Sequence, residues 1–164
     1  MAKIEGVNFQ GDRWFSICPL APATAGEDAT EYQVTFWTEM DNVVTNFNFS
    51  VRGWQNEHTG LWLIARLFAQ ASNLVGARVS TDLWQTGGSE FACVYKHCDW
   101  LRVILWALTR QRQICAEFFI QDDNKPNVYQ RFFLQTSISD AEQFGRVLEQ
   151  QIINAAPKWW AENR

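Results

Sequence analysis

The most regular stretch of the chain runs from Val43 to Arg52. There Val43, Thr45, Phe47, Phe49 and Val51 alternate with Val44, Asn46, Asn48, Ser50 and Arg52. A period of two with one apolar and one polar face predicts an antiparallel strand, buried on one side and wet on the other. Tyr32 to Glu39 has the same period, with Tyr32, Val34, Phe36 and Thr38 on one face, and Asp41-Asn42 supplies the turn between the two strands. Arg13 to Cys18 is a short apolar strand ahead of them. Pro19 to Asp28, rich in Ala, Pro and Gly, reads as the intervening loop.

Gly53 breaks the alternation, and the period lengthens. From Thr59 to Ser72 the residues Leu61, Ile64, Ala65, Phe68 and Ala71 recur at three- and four-residue steps, which predicts an amphipathic helix. Thr59 is its expected N-cap, and Asn73 and Gly76 are the stop signals. Further strands are expected at Arg78–Trp84 and Phe91–His97, joined by a Gly87-Gly88 hairpin turn. Leu101–Thr109 is apolar on both faces, as a doubly covered central strand would be. Ile114–Gln121 and Val128–Gln135 flank a loop, Asp122-Asp123-Asn124-Lys125-Pro126-Asn127. Ser139-Asp140-Ala141-Glu142 then has the pattern of a capping box. It would open a last helix with a stripe of Phe144, Val147, Leu148, Gln151 and Ile152, closed by Pro157. The chain reads as a single α+β domain over residues 1–164. A mainly antiparallel sheet of about seven or eight strands carries one internal and one C-terminal helix.

Composition supports that reading. At 47% hydrophobic and 15% aromatic, 164 residues can bury a sizeable core without staples. No apolar run approaches the roughly 18 residues of a spanning helix, so no membrane partner is expected. Met1-Ala2-Lys3-Ile4-Glu5-Gly6 lacks a secretory pattern, so a cytoplasmic setting is expected. Cys18, Cys93, Cys98 and Cys115 are then read as free, buried thiols. A rival metal set of Cys93, His97, Cys98 and Cys115 lacks a C-x-x-C knuckle, and Cys98 points away from the face shared by Cys93 and His97. Neither metal nor cofactor is expected.

The formal charge is −4, and the basic residues are scattered except for Arg110-Gln111-Arg112. An acidic surface without a basic patch repels phosphates, which argues against nucleic acid as a partner. Nor does the chain look like an enzyme. It has no nucleophile elbow, phosphate loop, dinucleotide fingerprint or zinc-protease helix. The two imidazoles, His58 before a helix and His97 at a turn, read as loop histidines, with catalysis at either as the alternative.

The chemistry therefore points to contact. Trp14, Trp37, Trp62 and Trp106 fall within strands or the first helix and are assigned to core or half-core packing. Trp54, Trp84, Trp100 and Trp159-Trp160 fall at element ends, where exposed tryptophans serve as interface anchors. Combined with nearby carboxylates they give a candidate partner-binding set: Trp54, Asp82, Trp84, Glu90, Asp99, Trp100, Asp122 and Asp123. The carboxylates would steer a basic partner. A small-molecule or carbohydrate site using exposed Trp is the alternative.

A resemblance sharpens this. Phe49-Ser50-Val51-Arg52-Gly53-Trp54, then Leu61-Trp62-Leu63-Ile64-Ala65-Arg66-Leu67-Phe68, and finally Phe133 to Glu142 with its long helix and Ala155-Ala156-Pro157 carry it. From Val43 to Trp159 the layout resembles small bacterial immunity proteins of polymorphic toxin systems, of the WapI type and a related family of unknown function. The resemblance implies a non-catalytic protein that occludes a cognate toxin.

Overall fold

The structure is a computed structural model. It describes the chain except residues 9–10, 20–29, 41, 54, 75–77, 81–89, 93–100, 109–112, 123–124 and 156–164. Four strands, β1 (Ala2–Asn8), β2 (Gly11–Pro19), β3 (Thr30–Met40) and β4 (Val43–Gly53), form an antiparallel meander. The helix α1 (Gln55–Ala69) and a single 3-10 turn at Ala71–Leu74 follow. A second antiparallel meander contains β7 (Leu101–Leu108), β8 (Gln113–Asp122) and β9 (Lys125–Ser137), with two three-residue strands, β5 (Arg78–Ser80) and β6 (Glu90–Ala92), at its outer edge. The helix α2 (Ile138–Ala155) follows β9 directly.

The α+β class and the antiparallel pairing agree with the periodicity. The arrangement of strands does not. Two meanders, of four strands and of three with their short edge strands, join into one sheet of nine rather than seven or eight strands where β1 meets β9 through the pair Val7 and Gln135. β5 and β6 run parallel, so they cannot be the two arms of a tight hairpin. The expected Gly87-Gly88 turn lies outside the described residues. β1 was not anticipated at all. Its inward residues Ala2 and Ile4 are small or few, and Lys3 and Glu5 make the segment look like a polar terminus.

The seam between the meanders is a crease. Phe15 on β2 stacks on Phe118 of β8 with ring centroids 4.4 Å apart, and Phe36 on β3 lies 4.8 Å from Phe132 on β9. In the strand order each of these pairs is separated by two strands, β1 and β9 for the first and β2 and β1 for the second, so the two inner faces must fold toward each other. Gly6 makes the crease possible: a Cβ there would collide with the Gln135 carbonyl. The helices close the remaining side. Phe68 of α1 meets Phe144 of α2 edge-on at 4.9 Å, and Phe144 reaches Phe15 at 6.0 Å. Six phenylalanines from both meanders and both helices thus share one core, each pair adding about 0.5–1.5 kcal/mol beyond its buried area.

Both helices bury the stripes their periods predict. Leu61, Ile64, Ala65 and Phe68 of α1 are buried, as are Phe144, Leu148 and Ile152 of α2, whereas Val147 and Gln151 are half-buried. Their starts differ from expectation. α1 begins at Gln55, four residues ahead of the expected Thr59 cap, because its first turn is polar and carries no apolar period. The Ser137 hydroxyl, not Ser139, caps α2, accepting the Asp140 N–H at 3.0 Å. Glu142 is drawn elsewhere: its carboxylate accepts the Ser72 N–H at 2.9 Å and ties the 3-10 turn to α2. Hydrogen bonding to Ser72 holds the Glu142 carboxyl below its usual pKa range, helped by Arg146 3.8 Å away. At the β3–β4 turn Asn42 adopts a φ of 64°, a conformation that Asn tolerates better than most residues. No described helix is long and apolar enough to cross a membrane.

Candidate nucleic-acid interface

Period two that sends Phe15 and Phe36 into the core sends Trp14 and Trp37 to the opposite face. The register places these two directly opposite each other on β2 and β3. Their rings are nearly parallel, 12° apart, with centroids 6.1 Å from each other. Both are half-buried rather than core. Lys3 on β1 adds a third layer: its ammonium lies 4.6 Å from the Trp14 ring centroid and pairs with Glu5. The outer face therefore carries a ladder from the cation of Lys3 through Trp14 to Trp37.

This ladder borders an open groove of about 570 Å³ that runs along the crease between the meanders. Lys3, Glu5, Asp12, Arg13, Trp14 and Trp37 line it from the first meander, and Gln135, Thr136 and Asp140 from the β9–α2 junction. Lys3, Glu5 and Asp140 also border a smaller recess of about 300 Å³ against α2. Arg13 leans over the Phe132 ring at 5.5 Å, and its burial lowers the guanidinium pKa while leaving it charged at neutral pH. On the far side of the groove the Gln135 amide donates to the Gln113 side-chain oxygen. The groove thus has an aromatic wall, two cations and three carboxylates. The Trp37 end of the ladder can accept a flat ring by stacking, and the carboxylates can accept hydrogen bonds from that ring's edge.

The residues expected to bind a partner lie elsewhere. Trp54, Asp82, Trp84, Asp99, Trp100 and Asp123 are outside the described residues, as is His97. Glu90 falls in β6, Asp122 ends β8, and His58 sits in the first turn of α1; the structure describes their backbone only. Of the rival metal set only Cys115 is described, and it is a buried free thiol. Desolvation, and then the nearby Glu117, push that thiol up to about 11. Cys18 is free and half-buried. Trp14 and Trp37, assigned from sequence to core or half-core packing, are half-buried as that assignment allows, but the reading did not count them among the candidate binding residues. The available signal was alternation: each lies next to an inward Phe on its own strand, which turns the Trp to the opposite face.

No known family profile matches the chain, and no curated protein does. Among solved structures, the plant transcriptional regulator PBF-2 is similar at 9% identity and a TM-score of 0.46, covering 93% of this chain and 80% of that one. WHY1 from Arabidopsis thaliana is similar at 9% identity and a TM-score of 0.43, covering 97% of this chain and 92% of that one. Neither is an immunity protein, and one is a transcriptional regulator. The expectations of a toxin-occluding immunity protein and of a chain without a nucleic-acid partner find no support in either likeness. That exclusion rested on the net charge of −4 and the scattered basic residues, and it took no account of stacking on aromatic rings, which needs no basic patch.

Proposed function

We propose that the protein binds single-stranded nucleic acid, with a base stacked on Trp37 at the end of the Lys3–Trp14–Trp37 ladder. The observation that carries this is the pair itself: two nearly parallel indoles, half-buried on one side of an open groove. Every base has a π-face, so stacking by itself is tolerant of sequence and contributes about 1–3 kcal/mol per stacked base. Duplex bases are already stacked on each other and offer no such face. With an acidic chain and only Lys3 and Arg13 as groove cations, affinity must come from stacking rather than from phosphate contacts.

Fluorescence titration with a fluorescein-labelled 12-nucleotide single strand tests the reading. The expected result is saturable binding, quenched tryptophan emission, and no binding of the corresponding duplex. Replacing Trp14 or Trp37 by Leu should weaken binding by about fivefold or more. The dependence of log affinity on log salt should be shallow, no steeper than about −1.4 for two phosphate contacts. A steep slope, or Trp14→Leu and Trp37→Leu proteins that fold and bind like the parent, would overturn it.

A further inference from the structure

We infer that the groove discriminates among bases, favouring those with an exocyclic amino group over thymine; this rests on the stacking role proposed for Trp37 at the end of the ladder. The stack fixes where a ring lies, and the side chains around the stack then meet the ring's edge. That surround is rich in acceptors. Glu5 faces Trp14 across the β1–β2 ladder, and Asp12 and Asp140 are exposed carboxylates on the same groove. An ionised carboxylate accepts hydrogen bonds and donates none. Cytosine offers its N4 amino hydrogens and adenine its N6 amino hydrogens at the equivalent edge, whereas thymine offers the O4 acceptor there. A carboxylate facing thymine O4 meets an oxygen lone pair, and a carboxylate facing cytosine N4 accepts a hydrogen bond.

The same carboxylates decide which side of the strand faces in. Three negative charges against Lys3 and Arg13 repel a phosphate from the groove floor, and Lys3 is already engaged by Glu5. The backbone therefore stays outside while base edges point toward the rim. Discrimination by base edge is then available, which a phosphate-first mode of binding would not provide.

The test compares (dC)12, (dA)12 and (dT)12 with the full chain at pH 7.5, read by tryptophan quenching. Binding of (dC)12 and (dA)12 about fivefold or more tighter than (dT)12 is expected. In Asp12→Ala and Asp140→Ala proteins the gap should close, chiefly by loss of affinity for (dC)12 and (dA)12. Equal affinity for the three strands, or a preference for (dT)12, overturns the base preference and leaves the stacking role standing. A preference that survives both Asp variants also overturns it. Failure of all three strands to bind overturns the stacking role, and the preference with it.

Discussion

Gly145 of α2 sits against the backbone of α1, where a Cβ would stand only 2.6 Å from the Ala65 carbonyl oxygen and would overlap the Ala69 amide nitrogen. Backbone atoms in a helix cannot yield as a flexible side chain can, so the missing methyl sets how closely the two helices approach. Two effects oppose each other when Gly145 becomes Ala. Helix propensity favours Ala by about 1 kcal/mol, whereas overpacking a tight contact costs typically about 1–3 kcal/mol, and more against rigid neighbours. The clash is expected to win, with Gly145→Ala losing about 2 kcal/mol in urea unfolding. Gln143→Ala, on the exposed side of the same helix, should change stability little; equal stability of Gly145→Ala and the parent would contradict the packing.

The cap of α2 can be read directly. Ser137→Ala removes the acceptor of the Asp140 N–H and should cost about 1 kcal/mol. Ser139→Ala, the cap that the sequence pattern suggests, should cost only a few tenths of that. Thermal or urea unfolding of the two variants in parallel distinguishes them, and the opposite ranking would place the cap at Ser139.

Cys115 should behave as a protected thiol. Its pKa is raised to about 11 by desolvation and by Glu117, against about 8.5 in an unfolded chain. A raised thiol pKa means that the folded state holds its proton more tightly. Its stability contribution is complete below about pH 8.5 and is lost as pH rises toward 11. At pH 8 iodoacetamide should leave Cys115 unmodified in the native protein and alkylate it in urea, as peptide mass mapping would show. Rapid native alkylation would contradict the burial.

Glu142 acts at the other end of the pH scale. Hydrogen bonds from Ser72 hold its carboxyl below the usual value, so the folded state favours the charged form. That contribution is present above the unfolded pKa of about 4.3 and is lost as pH falls through the lowered folded value. Glu142→Gln should therefore lose stability at pH 7 while showing a flatter decline below about pH 4.5. The effect should be small, because the group is near the surface and screened. Identical acid limbs for the variant and the parent would rule out the link between Glu142 and Ser72.

Much of the local structure was legible because it depends on neighbours in sequence. The alternation of Tyr32, Val34 and Phe36 marks a strand face, and the spacing of Leu61, Ile64, Ala65 and Phe68 marks a helix face. All seven are buried as that spacing requires. The misreadings share a cause as well. Ser139 and Glu142 match a capping box locally, yet Glu142 is claimed by Ser72, a residue 70 positions away. A pattern cannot show a competitor that arrives through the fold.

The tryptophans carry the same lesson to the candidate site. A Trp inside a strand is usually packed, and Trp14 and Trp37 each sit beside an inward phenylalanine. Nothing in either segment tells that β2 and β3 pair in the register that brings the two indoles together. Nor does composition show that Lys3, from a strand the periodicity passed over, lies on Trp14.

By itself the sequence determined the α+β class, the antiparallel β3–β4 and β8–β9 pairings, the buried stripes of both helices and the acidic net charge. Each of these follows from residue type and short-range period. The tertiary structure alone decided that the two meanders crease at Gly6, that six phenylalanines meet across the crease, and that two outward tryptophans line a groove beside it. Those depend on register and on contacts between strands far apart in the chain, where the energy of a pairing is set by what lies opposite rather than by what comes next.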